Sequence, residues 1–402
     1  MKYKRISLTL LLTILVSVQG IIAENENMQE RSESEIKADS LIELGLITCG
    51  PGTEIYSLYG HTAIHYINRM DSLHPIDVAI NYGVFNMNEP NFAIRFALGK
   101  TDYWMGVSDF DYFCQVYSEE GRWVKEQKLN LSAQNKLEIA QALAENSLPQ
   151  NLQYRYNYFY DNCTTRARDI LLNHPSIKTL FIHQENQEYP SYRELIHTYN
   201  EDYRWARFGN DILLGFKADY STDTKQQQFL PERLMHDFDN LQIVDESKNS
   251  SHPLVSETIT WVQPQINTPQ KQLPSPTTCF LALLILTIAV TGAEWYQKKI
   301  YWGYDAILMT LCGLSGVLLF FMLFSEQPTV NTNIQLLLLN PLPLLFIPRM
   351  IKRTRQGKHD SQYSLWTVLI CLFFIFSFAQ QYAEGMYILA SSLLIRNIKR
   401  LA

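Results

Sequence analysis

The histidines His174, His183, His197, His236 and His252 stand far apart, with no HxxxH spacing beside an upstream glutamate, so the sequence offers no metal site of that kind. Nor is there an excess of basic charge: the net charge is -6 over 402 residues, and nothing in the chain asks for nucleic acid as a partner. Internal repeats and low-complexity tracts are absent, which excludes solenoids and arrays. Cysteine is scarce: there are six, of which Cys49, Cys114 and Cys163 precede the apolar C-terminal part and Cys279, Cys312 and Cys371 fall within it. Lysine and arginine are missing from two C-terminal stretches, "SEQPTVNTN" and the segment around Glu384.

That last absence matters because of where the basic residues do lie. Apolar runs cover 276–293, 306–324, 334–348, 364–382 and 385–395, several near the roughly 20 residues a bilayer helix needs. Lys298 and Lys299 follow the first run, Arg349, Lys352, Arg353, Arg355 and Lys358 the third, and Arg396, Lys399 and Arg400 the last. A bundle of about five transmembrane helices over residues 276–402 then has every basic loop on one side, the cytoplasmic one, and the C-terminus with them. The third run carries Pro341 and Pro343 and the fifth is short, so re-entrant segments are open for both.

At the other end, Lys2, Lys4 and Arg5, an apolar run to Val18 and the small residue Ala23 have the layout of a secretory signal, expected over 1–23. The two ends agree: what lies between is exported, with the soluble part outside the membrane. Residues 24–38 read as a flexible lead, 39–244 as one soluble domain, and the polar, Pro/Gln-rich 245–275 as a linker. Three cysteines in an oxidising compartment leave at least one thiol unpaired within the chain.

Cys163 has the most suggestive setting. In "NLQYRYNYFYD" the tyrosines Tyr154, Tyr156, Tyr158 and Tyr160 alternate, which predicts an extended strand. "NCTTRARDILLN" then predicts a helix with Asp161 or Asn162 as N-cap and Cys163 in the first turn. There the helix dipole and the unpaired N–H groups favour a thiolate and are placed to hold an oxyanion. A small buried thiol packed at a helix start satisfies the same sequence, so the nucleophile reading needs a base.

"HTAIHYI" and "VAINYGVF" predict a hairpin. Its first strand places His61, Ala63 and His65 on one face, and Asn81 on the second strand is positioned to orient an imidazole. His61 is the expected base. Tyr59, His65 and Arg166 are the expected substrate-facing residues, with Arg166 and Arg168 either meeting a phosphate or salt-bridged to their surroundings, as a helix with "RARD" commonly is. "FALGKTDYWMGVSDFDYF" and "EDYRWARFGNDILLGF" supply aromatics for an acyl groove, the membrane interface or simply a core.

A histidine strand, then a polar strand, then an Asn-Cys helix start resembles the circularly permuted NlpC/P60 (papain-like) thiol enzymes. The combination of "TCGPGTEIYSLYGHTAIHY", "INYGVF", "FALGKTDYWM", "YRYNYFYDNCTTRARDIL", "FGNDILLG" and "FLPERL" with a C-terminal membrane bundle resembles the Lnb family of the Bacteroidetes, over roughly residues 40 to 400. The resemblance implies an α+β, permuted papain-like periplasmic domain and a lipoprotein N-acyltransferase. Cys163 would be the nucleophile and His61 its base, with no cofactor. A membrane phospholipid would be the acyl donor and a diacylated lipoprotein the acceptor. The family pattern commonly has an arginine after "GHTAI", where this chain has His65. Two other readings stay open at this point: a papain-like thiol hydrolase, and a non-enzymatic assembly factor in which Cys163 and Cys49 form a disulfide.

Overall fold

Three consecutive segments, "IELGLITC", "HTAIHYIN" and "IDVAINYGV", are rich in β-branched and aromatic residues at alternate positions. In the computed structural model they are β1 (Ile42–Cys49), β2 (His61–Asn68) and β3 (Ile76–Val84). Residues 41–181, 188–245, 250–265 and 273–401 are described; the signal and lead expected over 1–38 lie outside them. The described residues fall into two compact units, one drawn from 41–92, 100–181, 188–189, 222–245 and 250–265, the other from 93–99, 190–221 and 273–401.

The first unit is α+β. With β4 (Asp102–Asp109), β5 (Val124–Leu129), β6 (Gln153–Arg155) and, further on, β10 (Val255–Val262), the three strands make an antiparallel sheet in the order β10-β5-β1-β2-β3-β4-β6. Helix α1 (Phe110–Glu119) covers one face: its Phe110, Phe113 and Tyr117 pack on Ile47, Cys49, Ala63 and Ala79. Helices α2 (Ala133–Asn146), α3 (Cys163–Leu172) and α4 (Pro231–Asp239) cover the other. With both faces covered, the central strands are buried over most of their length; Leu46, Ile47, Ile64 and Ile80 are wholly inaccessible. Each such side chain contributes about 1.5–3 kcal/mol over its exposed state.

Two expectations fail in this unit. The tyrosine run is not one strand: β6 stops at Arg155, and Asn157 and Asp161 close a turn with paired 2.9 Å backbone hydrogen bonds. Tyr154, Tyr156 and Phe159 are buried while Tyr160 points out, so the period of two breaks at Tyr158. The supposed linker also holds structure. Ser250–Pro253 is β9, which pairs with β8 (Leu241–Asp245) beside β7 (Thr179–Phe181), and β10 is the edge strand on β5. An edge strand gains its place through backbone hydrogen bonds, so the largely exposed "VSETITWV" shows little of the apolar alternation that marks an interior strand.

The second unit is helical. Among the described residues, four segments are long and apolar enough to cross a membrane: α5 (Pro276–Gln297), α6 (Trp302–Met322), Ile334–Arg355 and Ser361–Phe378. Leu281, Ile285, Leu286 and Ile288 on α5 are exposed, as a hydrocarbon-facing surface requires. The sequence expectation was about five spans; the last helix, α9 (Met386–Leu401), has 16 residues and falls short of that length. The third segment is not one continuous α-helix: a 3-10 turn at Ile334–Leu337 breaks before α7 (Leu342–Arg355), where Asn340 and the fixed φ of Pro341 interrupt it. Gly316 on α6 makes room there, since a Cβ on it would lie 2.3 Å from the Asn340 carbonyl carbon. Helix α8 (Ser361–Ile375) completes the set, with Trp366, Ile370 and Phe373 fully buried.

Arg396 and Arg400, counted from sequence among the cytoplasmic basic residues, are paired with Glu294 and Asp305 at 2.6–2.9 Å. All four side chains are buried, so the charges balance only as a set. Arg396→Ala leaves two carboxylates to one guanidinium and is expected to cost about 3–5 kcal/mol. Thermal unfolding in detergent reads this; an unchanged midpoint would show that the cluster contributes nothing.

Candidate active site

Gly60 turns the chain into β2 with φ +78°, and a Cβ there would meet the Cys49 carbonyl oxygen at 2.7 Å. His61 follows as the first residue of β2, where β2 and β3 have parted: their pairing runs from Asn68↔Ile76 only as far as Ile64↔Ile80. On β3 the register to β4 shifts between Asn81 and Val84, a bulge that re-aims Asn81. The parted strand ends therefore bring two side chains and a free backbone edge together.

Asn81 Oδ1 accepts hydrogen bonds from His61 Nε2–H at 2.8 Å and from the Gly83 N–H at 2.7 Å. The second bond fixes the amide oxygen toward His61, so Nε2 carries the proton and Nδ1 is the nitrogen left for another partner. That partner is Cys163, which is hydrogen-bonded to the His61 side chain. Two further contacts reach the sulfur: the Thr62 backbone N–H, freed by the parting of the strands, and the Thr164 hydroxyl at 3.8 Å. Thr62 Oγ1 donates to Thr164 Oγ1 at 3.1 Å and ties β2 to α3.

Cys163 is the first residue of α3, and Asn162 is its cap. The Asn162 Oδ1 accepts from the N–H groups of Thr164 and Thr165, and Thr165 Oγ1 accepts the Asn162 N–H in return. Nδ2 of Asn162 donates to the carbonyls of Tyr158 and Phe229, so the cap is locked from both sides. The sequence expectation was several free N–H groups at this helix start. The capping box takes those of Thr164 and Thr165, and the Cys163 N–H is the one without a partner among the described residues.

Burial pushes the Cys163 thiol up, but the charge of the adjacent His61, its hydrogen bond and those from Thr62 and Thr164 outweigh it and hold the thiol lowered, at about 7. The neighbouring thiols go the other way. Burial drives Cys49 well up, and Cys114 up to about 12. All six cysteines are free, so the disulfide between Cys49 and Cys163 is not formed.

The tyrosine run finds its place here. Tyr103 and Tyr156 stack at 4.0 Å, Tyr154 packs against both, and its hydroxyl donates to the Tyr82 carbonyl. Tyr103, Tyr154 and Tyr156 all lie close enough to Cys163 to feel its charge, which with their burial raises each phenol.

A cleft of about 290 Å³ opens beside the His61 and Asn81 end of the site, lined also by Gly83, Phe85, Met87 and Arg122; Cys163 is not among the lining residues. The His61 ring lies parallel to Tyr117, with centroids 6.5 Å apart. A Cβ on Gly83 would stand 2.6 Å from His61 Cε1, so this position has to be glycine for the ring to lie where it does. Gly83→Ala is expected to move the imidazole off Cys163 and raise the pH midpoint of Cys163 alkylation by a unit or more, about 1.4 kcal/mol for each unit. An unchanged midpoint in a folded variant would show that the ring position does not set the thiol's acidity.

Of the residues singled out from sequence, His61, Asn81 and Cys163 come together; the others do not. His65 does not face the cleft: it is 3% exposed, with Nδ1 on Glu126 at 2.7 Å and Nε2 on Asp77 at 2.8 Å, stacked 3.7 Å over Phe110. Burial lowers its pKa, yet the two carboxylates raise it more. Tyr59 lies outside the cleft lining, edge-on to Tyr158. Arg166 is held by Asp161 at 2.6 and 2.8 Å and lies 3.7 Å over the Tyr154 ring, its charge used inside the protein. Thr62, Thr164, Tyr117 and Arg122 were not foreseen. Gly83 alone carried a signal, a glycine inside a strand pattern, which marks close approach.

The chain is thus a membrane protein whose α+β domain presents a Cys-His-Asn cluster at a helix start. Residues 29–198 match the Lnb N-terminal periplasmic domain and residues 268–402 match the Lnb transmembrane domain. The chain belongs to the Lnb family. No curated protein and no solved structure matches it.

Proposed function

We propose that the protein is a lipoprotein N-acyltransferase. Family membership points to lipoprotein maturation, and the observation that supports this chemistry is the thiol itself: Cys163 is lowered to about 7 by a histidine that Asn81 orients. Near neutral pH a large share of Cys163 is thiolate, stabilised by the adjacent His61 side chain.

The thiolate attacks an ester carbonyl of a membrane phospholipid, forming a C–S bond while the carbonyl electron pair moves to oxygen. The Cys163 N–H, at the positive end of α3, is placed to receive that oxyanion. As the tetrahedral adduct collapses, the C–O bond breaks and His61 gives its proton to the leaving alkoxide, releasing a lysophospholipid. The amine of an S-diacylglyceryl cysteine then attacks the thioester. Neutral His61 takes the proton lost by nitrogen, and the thiolate leaves. Asn81 holds the imidazole in the tautomer that serves both steps. No cofactor enters this scheme.

Expected localisation is the inner membrane, with the catalytic domain periplasmic and the C-terminus cytoplasmic. The permuted papain-like architecture belongs to the same proposal; a Cys helix packed on the sheet that carries His61 and Asn81 supports it. The reading in which Cys163 is tied up in a disulfide has no support in free Cys49 and Cys163. The test is incubation of the purified protein with phospholipid and a diacylated lipoprotein, followed by mass spectrometry of the lipoprotein N-terminus. An added acyl chain supports transfer. Free fatty acid with a bare amine would replace transfer by hydrolysis.

A further inference from the structure

Arg122 is a side chain that neither the fold nor the chemistry above explains fully. It is 3% exposed and lines the cleft beside His61. Its Nε donates to the Gly50 carbonyl at 2.8 Å, its Nη1 donates to Glu120 at 3.0 Å, and its guanidinium lies 4.5 Å over the Tyr117 ring. Nη2 is buried with no hydrogen-bond partner among the described residues. A guanidinium nitrogen kept from water without an acceptor is costly, and such a group in a cleft is explained by a ligand that supplies one.

The surroundings say what kind. Among the residues lining the cleft, Arg122 is the one with a permanent charge; Glu120 pairs with its Nη1 and leaves Nη2 as the donor without an acceptor. Phe85 and Met87 are apolar lining, and Tyr56 stands edge-on to Phe85 at 6.2 Å. His61 and Arg122 both lie against Tyr117, the imidazole 6.5 Å and the guanidinium 4.5 Å from its centroid, so the two are at most 11 Å apart. An ester carbonyl and a phosphodiester separated by a few bonds of one glycerol fit within that span. Bidentate recognition of phosphate is what a guanidinium does best.

We infer that Arg122 is the anion-binding residue of the cleft and takes the phosphodiester of the glycerophospholipid acyl donor while His61 and Cys163 act on its ester. This rests on the acyl-transfer reading, and the test separates the two. The full-length protein in detergent is given monomeric dihexanoylphosphatidylcholine or dihexanoylglycerol, and acyl-enzyme formation is followed by mass. Wild type is expected to show the lower KM for the phosphatidylcholine. In Arg122→Gln that KM rises about tenfold and the preference between donors disappears. Equal losses with both donors would overturn the inference and make Arg122 only a clamp on Gly50.

Because Arg122→Gln also removes the Gly50 contact, Glu120→Gln is the second variant. It leaves that contact, removes the carboxylate charge paired with Nη1 and is expected to lower the KM for phosphatidylcholine severalfold; a KM that stays the same or rises counts against the inference. If no donor acylates the protein, the acyl-transfer reading has failed, and protection of Cys163 from alkylation by a diether glycerophosphocholine still tests Arg122. Protection that weakens in Arg122→Gln supports a lipid phosphodiester site. Inorganic phosphate protecting at the same concentration as the diether would assign the residue to free phosphate and overturn the donor assignment, as would protection that is unchanged in Arg122→Gln.

Discussion

Cys163→Ala is expected to abolish acyl transfer, by roughly 10⁴-fold or more, while leaving the fold intact. Two routes to the lipoprotein amide differ in what they need. Direct attack of the amine on the ester needs the oxyanion donor and proton transfer but no thiol. The thioester route has no path without Cys163. The sulfur is half-buried and small, and the contacts that hold α3 in place run through Asn162, Thr164 and Thr165 rather than through it. The variant should therefore unfold near the wild-type temperature and transfer nothing, which mass spectrometry of the lipoprotein N-terminus reads directly. Residual transfer within tenfold of wild type would mean that sulfur is not the nucleophile.

His61→Ala has the second largest expected effect, and its signature is pH. Desolvation raises the Cys163 pKa and His61 lowers it; removing His61 leaves desolvation against the two weaker contacts from Thr62 and Thr164. The thiol should then titrate at or above its ordinary value near 9 instead of about 7. Thiolate exists above the pKa, so alkylation of Cys163, followed on its own peptide, should have its midpoint near pH 7 in wild type. In the variant it should climb only above about pH 9, with the loss greatest at neutral pH and shrinking in alkali. Transfer loses more than the thiolate fraction, because the same imidazole protonates the leaving alkoxide; a further fall of about 10²–10⁴-fold is expected that high pH does not restore. A variant with the wild-type midpoint would separate His61 from the thiol.

Much of this site was legible because it is built from local rules. A polar cap followed by a helix-forming run fixes where α3 begins, and so fixes Cys163 in its first turn. Alternation in "HTAIHYI" and "VAINYGVF" fixes two adjacent strands with His61 and Asn81 near their ends. What stayed hidden depends on pairing between distant segments. That β2 and β3 part after Ile64↔Ile80, and so free the Thr62 N–H for sulfur, is a property of the sheet and has no mark in either strand alone. His65 shares the face of His61, yet Glu126 of β5 and Asp77 of β3 claim both its nitrogens, and the space for Glu126 comes from Gly45 of β1. Arg122 follows α1 in the chain and reaches the cleft only because β5 lies beside β1.

The membrane part divides in the same way. Hydropathy located the apolar segments because lipid imposes one-dimensional length rules, but the positive-inside count cannot see that Arg396 and Arg400 are neutralised by Glu294 and Asp305. Pro341 and Pro343 signalled a break in the third segment, and the break is there.

The most direct measurement is the intact mass of the wild-type protein after incubation with phospholipid alone. The expected result is a mass increase of one acyl chain, mapped to Cys163, removed by hydroxylamine as a thioester and lost on adding a diacylated lipopeptide, which gains the same chain. A protein that passes the acyl chain to the lipopeptide with no mass on Cys163 at any time, or that releases it only as free fatty acid, would contradict the account.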